Sequence, residues 1–171
     1  MKVISRNLGE VHSDKPIHLV MGRLCSGKGT FCEHLLYDNG QLIVTSDIVR
    51  SITNIDKRSE LCKTAYLDQT IADRMIEQID TILNSGSKVV VDGIRQVTIV
   101  QRLIDNYGLD NIELTWLDVD KEVLKYRFSK RKDAKDDQTF EELFDRDEQL
   151  GVRDLEQWLY MADTARFVDN G

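Results

Sequence analysis

The densest chemistry in this chain lies in ten residues, Met21 to Thr30, which read MGRLCSGKGT and follow the apolar run Ile17-His18-Leu19-Val20. Gly22, Gly27 and Gly29 lack Cβ atoms. The backbone through them can therefore adopt positive φ and aim successive N–H groups at one anion. Lys28 adds a mobile cation, and the FCEHLL after Gly29-Thr30 reads as the early turns of a helix whose positive end faces the same point. A phosphate suits such a loop. The same residues also allow a plain glycine-rich turn with a solvated lysine. Cys25 has two readings as well: a thiol activated beside Lys28, or a small apolar group packed on the neighbouring strand.

The spacing from Gly22 to Lys28, G-x-x-x-x-G-K, is the Walker A pattern in its strand-loop-helix setting. Gly29 takes the usual Ser/Thr place and Thr30 comes one residue late. Ser26, Gly27, Lys28, Gly29 and Thr30 are the candidate phosphate contacts. Further along, VVVDG at 89 to 93 is an apolar strand ending in an acid, the form of a Walker B element. Asp92 is placed to hold Mg²⁺ through water, with the Thr30 hydroxyl as a second oxygen. Arg95 follows closely. TSDIVR at 45 to 50 sets Asp47 and Arg50 three apart at a strand end, hence on one helix face. Alone, Asp47 reads equally as a helix N-cap. The polar stretch SKRKDAKDDQT, 129 to 139, is either a solvated loop or a short flap over a phosphate site.

The elements that must position these residues show in the alternation of apolar runs with amphipathic segments, the mark of βαβ units and a parallel sheet. Strands are expected at about 17 to 21, 41 to 45, 88 to 92, 112 to 118 and 166 to 168. Helices are expected at about 28 to 38, 47 to 53, 60 to 84, 95 to 106, 121 to 131, 139 to 149 and 153 to 162. Parallel sheets bind ligands at the carboxyl ends of their strands, where these candidates fall. A chain of 171 residues fits one domain, here 16 to 171, with residues 1 to 15 as an N-terminal arm. The net charge of −7 argues against a broad nucleic-acid footprint. No apolar run reaches the ~20 residues of a membrane span, and no signal-peptide core is visible. Three cysteines without metal or C-x-x-C spacing suit a reducing, cytoplasmic setting.

GRLCSGKGTFCEHL resembles the loop of adenylate kinase and related nucleoside monophosphate kinases, in which Gly-Thr after the lysine is normal. SDIVR resembles their acceptor-side motif, and VVVDGIR their strand-borne DG followed by a phosphate-binding arginine. LDVDKEVLKYRFSKR is similar to the segment entering their lid, and the tail from Asp136 looks closest to a compact adenylate-kinase-like and dephospho-coenzyme-A-kinase-like branch. The resemblance implies an α/β, doubly wound, three-layer P-loop kinase fold with a five-stranded parallel sheet. It further implies an acceptor-side helical region at about 47 to 85 and a short lid at about 129 to 139. ATP with Mg²⁺ would lie over residues 22 to 30, with Arg127 near the adenine and phosphates. Arg131 and Arg146 would reach the transferring group, and Arg50 and Arg95 would hold an anionic acceptor. The lid lacks the zinc-ligand cysteines of long forms, and residues 53 to 85 carry no recognisable base-reading signature.

Phosphoryl transfer needs positioning and charge neutralisation more than covalent help. A phosphate acceptor is already nucleophilic, whereas a hydroxyl acceptor needs a base, for which Asp47 is the candidate. The leading expectation is a kinase of a nucleotide or nucleotide-like acceptor. The second is a kinase of a hydroxyl on nucleic acid, such as the hydroxymethyl group of 5-hydroxymethyluracil in DNA. The third is a non-enzymatic nucleotide-binding regulator.

Overall fold

In the computed structural model, the residues described are 4–5, 14–36, 39–54, 67–131, 137–162 and 165–171. The strand Ile17–Gly22 (β2) runs through the middle of the sheet with every residue buried. Both of its faces are covered. Ile17, Leu19 and Met21 join the larger core, while Val20 joins Phe31, Cys32, Val90, Leu117 and Val168 on the opposite side. That two-sided burial is why β2 reads as an unbroken apolar run rather than an alternating one.

Around β2 lie Ile4–Ser5 (β1), Gly40–Val44 (β3), Lys88–Asp92 (β4), Ile112–Asp118 (β5) and Arg166–Asp169 (β6). Their order is β1-β6-β5-β2-β4-β3, and every pair is parallel. The five longer strands form the parallel sheet implied by the resemblance. The pair Ile4–Ser5 extends it by a short edge strand beside Phe167 and Val168. Since β2 sits between β4 and β5, the chain reverses its winding direction there. This opens a crevice at the strand's carboxyl end.

Helix α1 (Lys28–Leu35) buries Phe31 and Cys32 on one face of the sheet. The other face is covered by α2 (Thr45–Thr53), α3 (Asp68–Asn84), α4 (Val97–Tyr107) and α7 (Val152–Ala162). Ile71, Ala72, Met75 and Ile79 form the buried stripe of α3, which ends before Gly86 at φ 84°. Of the long helix expected at 60 to 84, residues 60 to 66 lie outside the described residues. Helices α5 (Lys121–Lys130) and α6 (Phe140–Leu150) share a separate small core of Leu24, Leu124, Phe140 and Leu143. Of the expected lid, residues 132 to 136 lie outside the described residues. Among the described residues, no helix is long and apolar enough to cross a membrane.

Candidate active site

The turn after β2 is tight because its residues leave no room for alternatives. A Cβ at Gly22 would come 2.6 Å from Ser26 Oγ and 3.2 Å from the Leu117 carbonyl. Gly27 sits at φ 90°, directly before α1, and Cys25 also takes a left-handed φ of 64°. The Ser26 amide donates to the Arg23 carbonyl at 3.1 Å, closing the turn. Cys25 packs at the margin of the small core around Leu24 and Leu124.

Lys28 folds back over this turn. Its Nζ donates to the carbonyls of Gly22, at 3.1 Å, and Arg23, at 2.9 Å. Burial pulls its pKa below the ordinary lysine value, while the Asp92 carboxylate opposes that pull. Asp92 ends β4 in register with Val20 and Val44. Burial pushes its pKa above the usual aspartate value, against the opposing charges of Lys28 and Arg95. The Asp92 carbonyl accepts from Thr45 Oγ1 at 2.8 Å, joining β4 to the start of α2. Gly93 follows at φ 87° and brings the chain close over Lys28.

These groups line a cleft of about 350 Å³ together with Cys25, Thr30, Ser46, Arg50, Arg95, Arg131 and Asp147. Four cations, from Lys28, Arg50, Arg95 and Arg131, thus face one space that also holds the carboxylates of Asp92 and Asp147. Arg50 Nη1 donates to Ser46 Oγ and to Asp47 Oδ1, both at 3.2 Å. Helix α2 begins at Thr45, so Asp47 stands in its first turn rather than at the N-cap. Its side chain is 70% exposed and does not line the cleft. Arg95 Nε lies 3.7 Å from Asp147 Oδ1, a buried acid of α6. Arg146, the preceding residue, is half-buried and outside the cleft lining. Adjacent helix positions diverge by about 100°, so only one of the two can face the cleft. Arg131 caps α5 with its guanidinium 5.0 Å from the Phe128 ring. Arg127 approaches the loop from the far side, donating to the carbonyls of Cys25 at 3.3 Å and Asn170 at 2.6 Å.

A family model described as an AAA domain matches residues 19–151. The chain belongs to this AAA domain family. A UPF0200/UPF0201 protein of Archaeoglobus fulgidus is 30% identical over 153 residues, covering 84% of this chain and 47% of that protein. The chain thus spans about half the length of the curated relative it matches. The unliganded crystal structure of a sugar kinase from Janibacter sp. HTCC2649 superposes with a TM-score of 0.55 at 18% identity, covering 86% of this chain and 96% of that one. What the two share is the fold, that of the P-loop kinase-like superfamily.

Several residues of this AAA domain that shape the site carry no local motif. Arg23, at a position the loop pattern leaves unspecified, is held at 2.7 Å by Glu148 of α6 and at 2.6 Å by Glu156 of α7. Its guanidinium lies 5.5 Å from the Trp116 ring and 5.6 Å from that of Phe144. Burial lowers its pKa, but the bonds to Glu156 and Glu148 outweigh this and raise it overall. Asp147 and Asn170 belong to the same group. The helical periodicity of 139 to 149 was the sole sequence signal bearing on Asp147, and none bore on the other two.

Proposed function

We propose that this AAA domain is an ATP-dependent kinase that transfers the γ-phosphoryl group to a nucleotide or nucleotide-like acceptor. One observation carries the reading: Lys28 and Asp92 share a single cleft with Arg50, Arg95 and Arg131. A domain that only retained a nucleotide has no need for two arginines, one from the segment after β4 and one from α2, beyond the loop. ATP would lie along Gly22, Cys25, Ser26, Gly27, Lys28, Gly29 and Thr30, with the amides and Lys28 taking the phosphates. The donor set suits magnesium, because Asp92 and Thr30 border the cleft and Mg²⁺ takes one or two protein oxygens besides water and phosphate. When bound, the ion neutralises charge on the phosphoryl oxygens. Arg50 and Arg95 align the anionic acceptor, Arg131 from the lid side serves the transferring group, and Arg127 supports the donor side; Arg146, turned away from the cleft, is given no part in transfer. Asp47, beside Arg50, orients the acceptor arginine.

The second reading, a kinase of a hydroxyl on nucleic acid such as a hydroxymethylated base in DNA, has one observation in its favour. Asp147 brings a second carboxylate into the cleft beside Asp92, while Asp47 stands in the first turn of α2, paired with Arg50. A hydroxyl acceptor requires such a base. The deciding experiment offers γ-labelled ATP to mononucleotides, dephospho-coenzyme A and hydroxymethyl-bearing DNA in parallel. Label in a mononucleotide or dephospho-coenzyme A supports the first reading, and label in DNA the second. Nucleotide binding without transfer to any of them would leave the regulator.

A further inference from the structure

We infer that Asn170, acting with Arg127, is a positioning residue for the phosphate-binding loop, so that the C-terminal segment sets the loop's shape. Asn170 is anchored first by its own backbone, whose N–H donates to the Asp118 carbonyl at 3.0 Å at the end of β5. From there its side-chain Nδ2 donates to the Ser26 carbonyl at 2.7 Å. Its own carbonyl accepts from Arg127 Nη2 at 2.6 Å, and Arg127 Nη1 donates to the Cys25 carbonyl at 3.3 Å. Two consecutive loop carbonyls, those of Cys25 and Ser26, are therefore drawn to one side by a two-residue clamp.

The consequence follows from peptide geometry. In a planar trans peptide the C=O and the next N–H point in opposite directions. Holding the Ser26 carbonyl toward Asn170 turns the Gly27 N–H away from it, and Gly27 lines the cleft. The clamp also occupies the space a side chain at 27 would need, since a Cβ there would lie 2.5 Å from Asn170 Nδ2. Gly27 is thus required both by its φ of 90° and by the asparagine behind it. Arg127 acts through the loop in the same way. The inference rests on the reading of this loop as the ATP phosphate site.

The test uses the full chain with Asn170→Asp, which keeps the size but loses the donor to Ser26, and Asn170→Ala. In the nucleotide-free protein, amide exchange at Ser26, whose N–H is bonded to the Arg23 carbonyl within the loop, should accelerate at least tenfold while β2 and β5 keep their protection. The Kd for ATP·Mg²⁺ should rise about tenfold with acceptor KM unchanged, the scale of one lost hydrogen bond that orients a ligand group. Arg127→Lys, able to reach one carbonyl rather than two, should fall between wild type and Asn170→Asp in both measurements. Unchanged loop exchange would overturn the inference. Exchange rising equally in loop and strands, or failure of both Asn170 variants to fold, would also overturn it by showing a role in global stability alone. If wild type binds no ATP while the loop exchange responds as stated, the positioning role stands and the kinase reading falls.

Discussion

The two walls of the cleft are built on different principles. The loop wall, from Gly22 to Thr30, which we propose as the donor wall, is one contiguous turn whose geometry follows from glycines, backbone amides and a lysine bonded to its own loop. The facing wall, which contains the proposed acceptor residues and is called the acceptor wall on that reading, is assembled from side chains of four separate segments: Ser46 and Arg50, Asp92 and Arg95, Arg131, and Asp147. Backbone groups are positioned chiefly by φ and ψ, here with the Asn170–Arg127 clamp behind them, whereas long side chains depend wholly on partners to hold them. The acceptor wall accordingly spends its polar contacts internally, Arg50 on Asp47 and Arg95 on Asp147. The donor side should therefore tolerate distant changes other than at its Asn170–Arg127 clamp, and the acceptor side should shift whenever one partner is altered.

Substitutions on each wall test this contrast. Lys28→Ala should have the largest effect, a loss of about 10³-fold in transfer rate, because it removes a charge that acts on the reacting phosphoryl group. Thermal unfolding should move by only a few degrees. Activity within tenfold of wild type would show that the donor wall works by backbone alone. Asp92→Asn should raise the Mg²⁺ concentration for half-maximal rate by about tenfold or more, since a neutral amide holds the hydrated ion less strongly. An unchanged Mg²⁺ titration would reduce Asp92 to a structural strand end.

On the acceptor wall, Asp147→Asn should raise acceptor KM by about tenfold and leave ATP binding intact, because Arg95 loses the charge that orients it. Equal losses for both substrates would mean the walls are not separable. Asp47→Asn should change acceptor KM only a few-fold with kcat preserved, given that its carboxylate is 70% exposed and paired with Arg50. A fall in kcat of ~10²-fold or more would identify a general base and favour the hydroxyl acceptor.

The smallest effect on catalysis, none, is expected at the opposite end of β2. His18 is buried against Thr115 Oγ1, 2.7 Å from its Nε2, and burial, with Arg166 and Lys15 nearby, holds its pKa at about 3 against an ordinary 6.5. The unfolded chain therefore takes up the proton first, and the stability due to neutral His18 is complete above pH 6.5 and lost as pH falls toward 3. Between pH 7.5 and 5 wild type should lose roughly 2 kcal/mol more than His18→Gln in urea unfolding. Parallel curves would place the acid sensitivity elsewhere, and altered kinetics at pH 7.5 would couple this end of the sheet to the cleft.

How far these features could be read in advance depends on whether they are local. The strands Lys88–Asp92 and Ile112–Asp118 fall at the expected residues because apolar runs buried on both faces leave a plain mark. Helix boundaries were less legible. Helix α2 starts two residues before its expected position because Thr45 bonds the Asp92 carbonyl across to β4, a contact invisible in the run TSDIVR. Gly22, Gly27 and Lys28 were legible because the turn they make is complete within seven residues.

The rest was settled only when distant segments met. Arg23 gained its two glutamates from α6 and α7, 125 and 133 residues away in sequence. Asn170 reached Ser26 across 144 residues, and the choice of Asp147 over Arg146 as the cleft-facing residue followed from the roll of one helix on its core. Composition and periodicity determine which residues are strand, helix or turn and which face is apolar, because those depend on backbone sterics and near neighbours. Which elements lie side by side, and so which charges share a cleft, depends on packing the whole chain into one core.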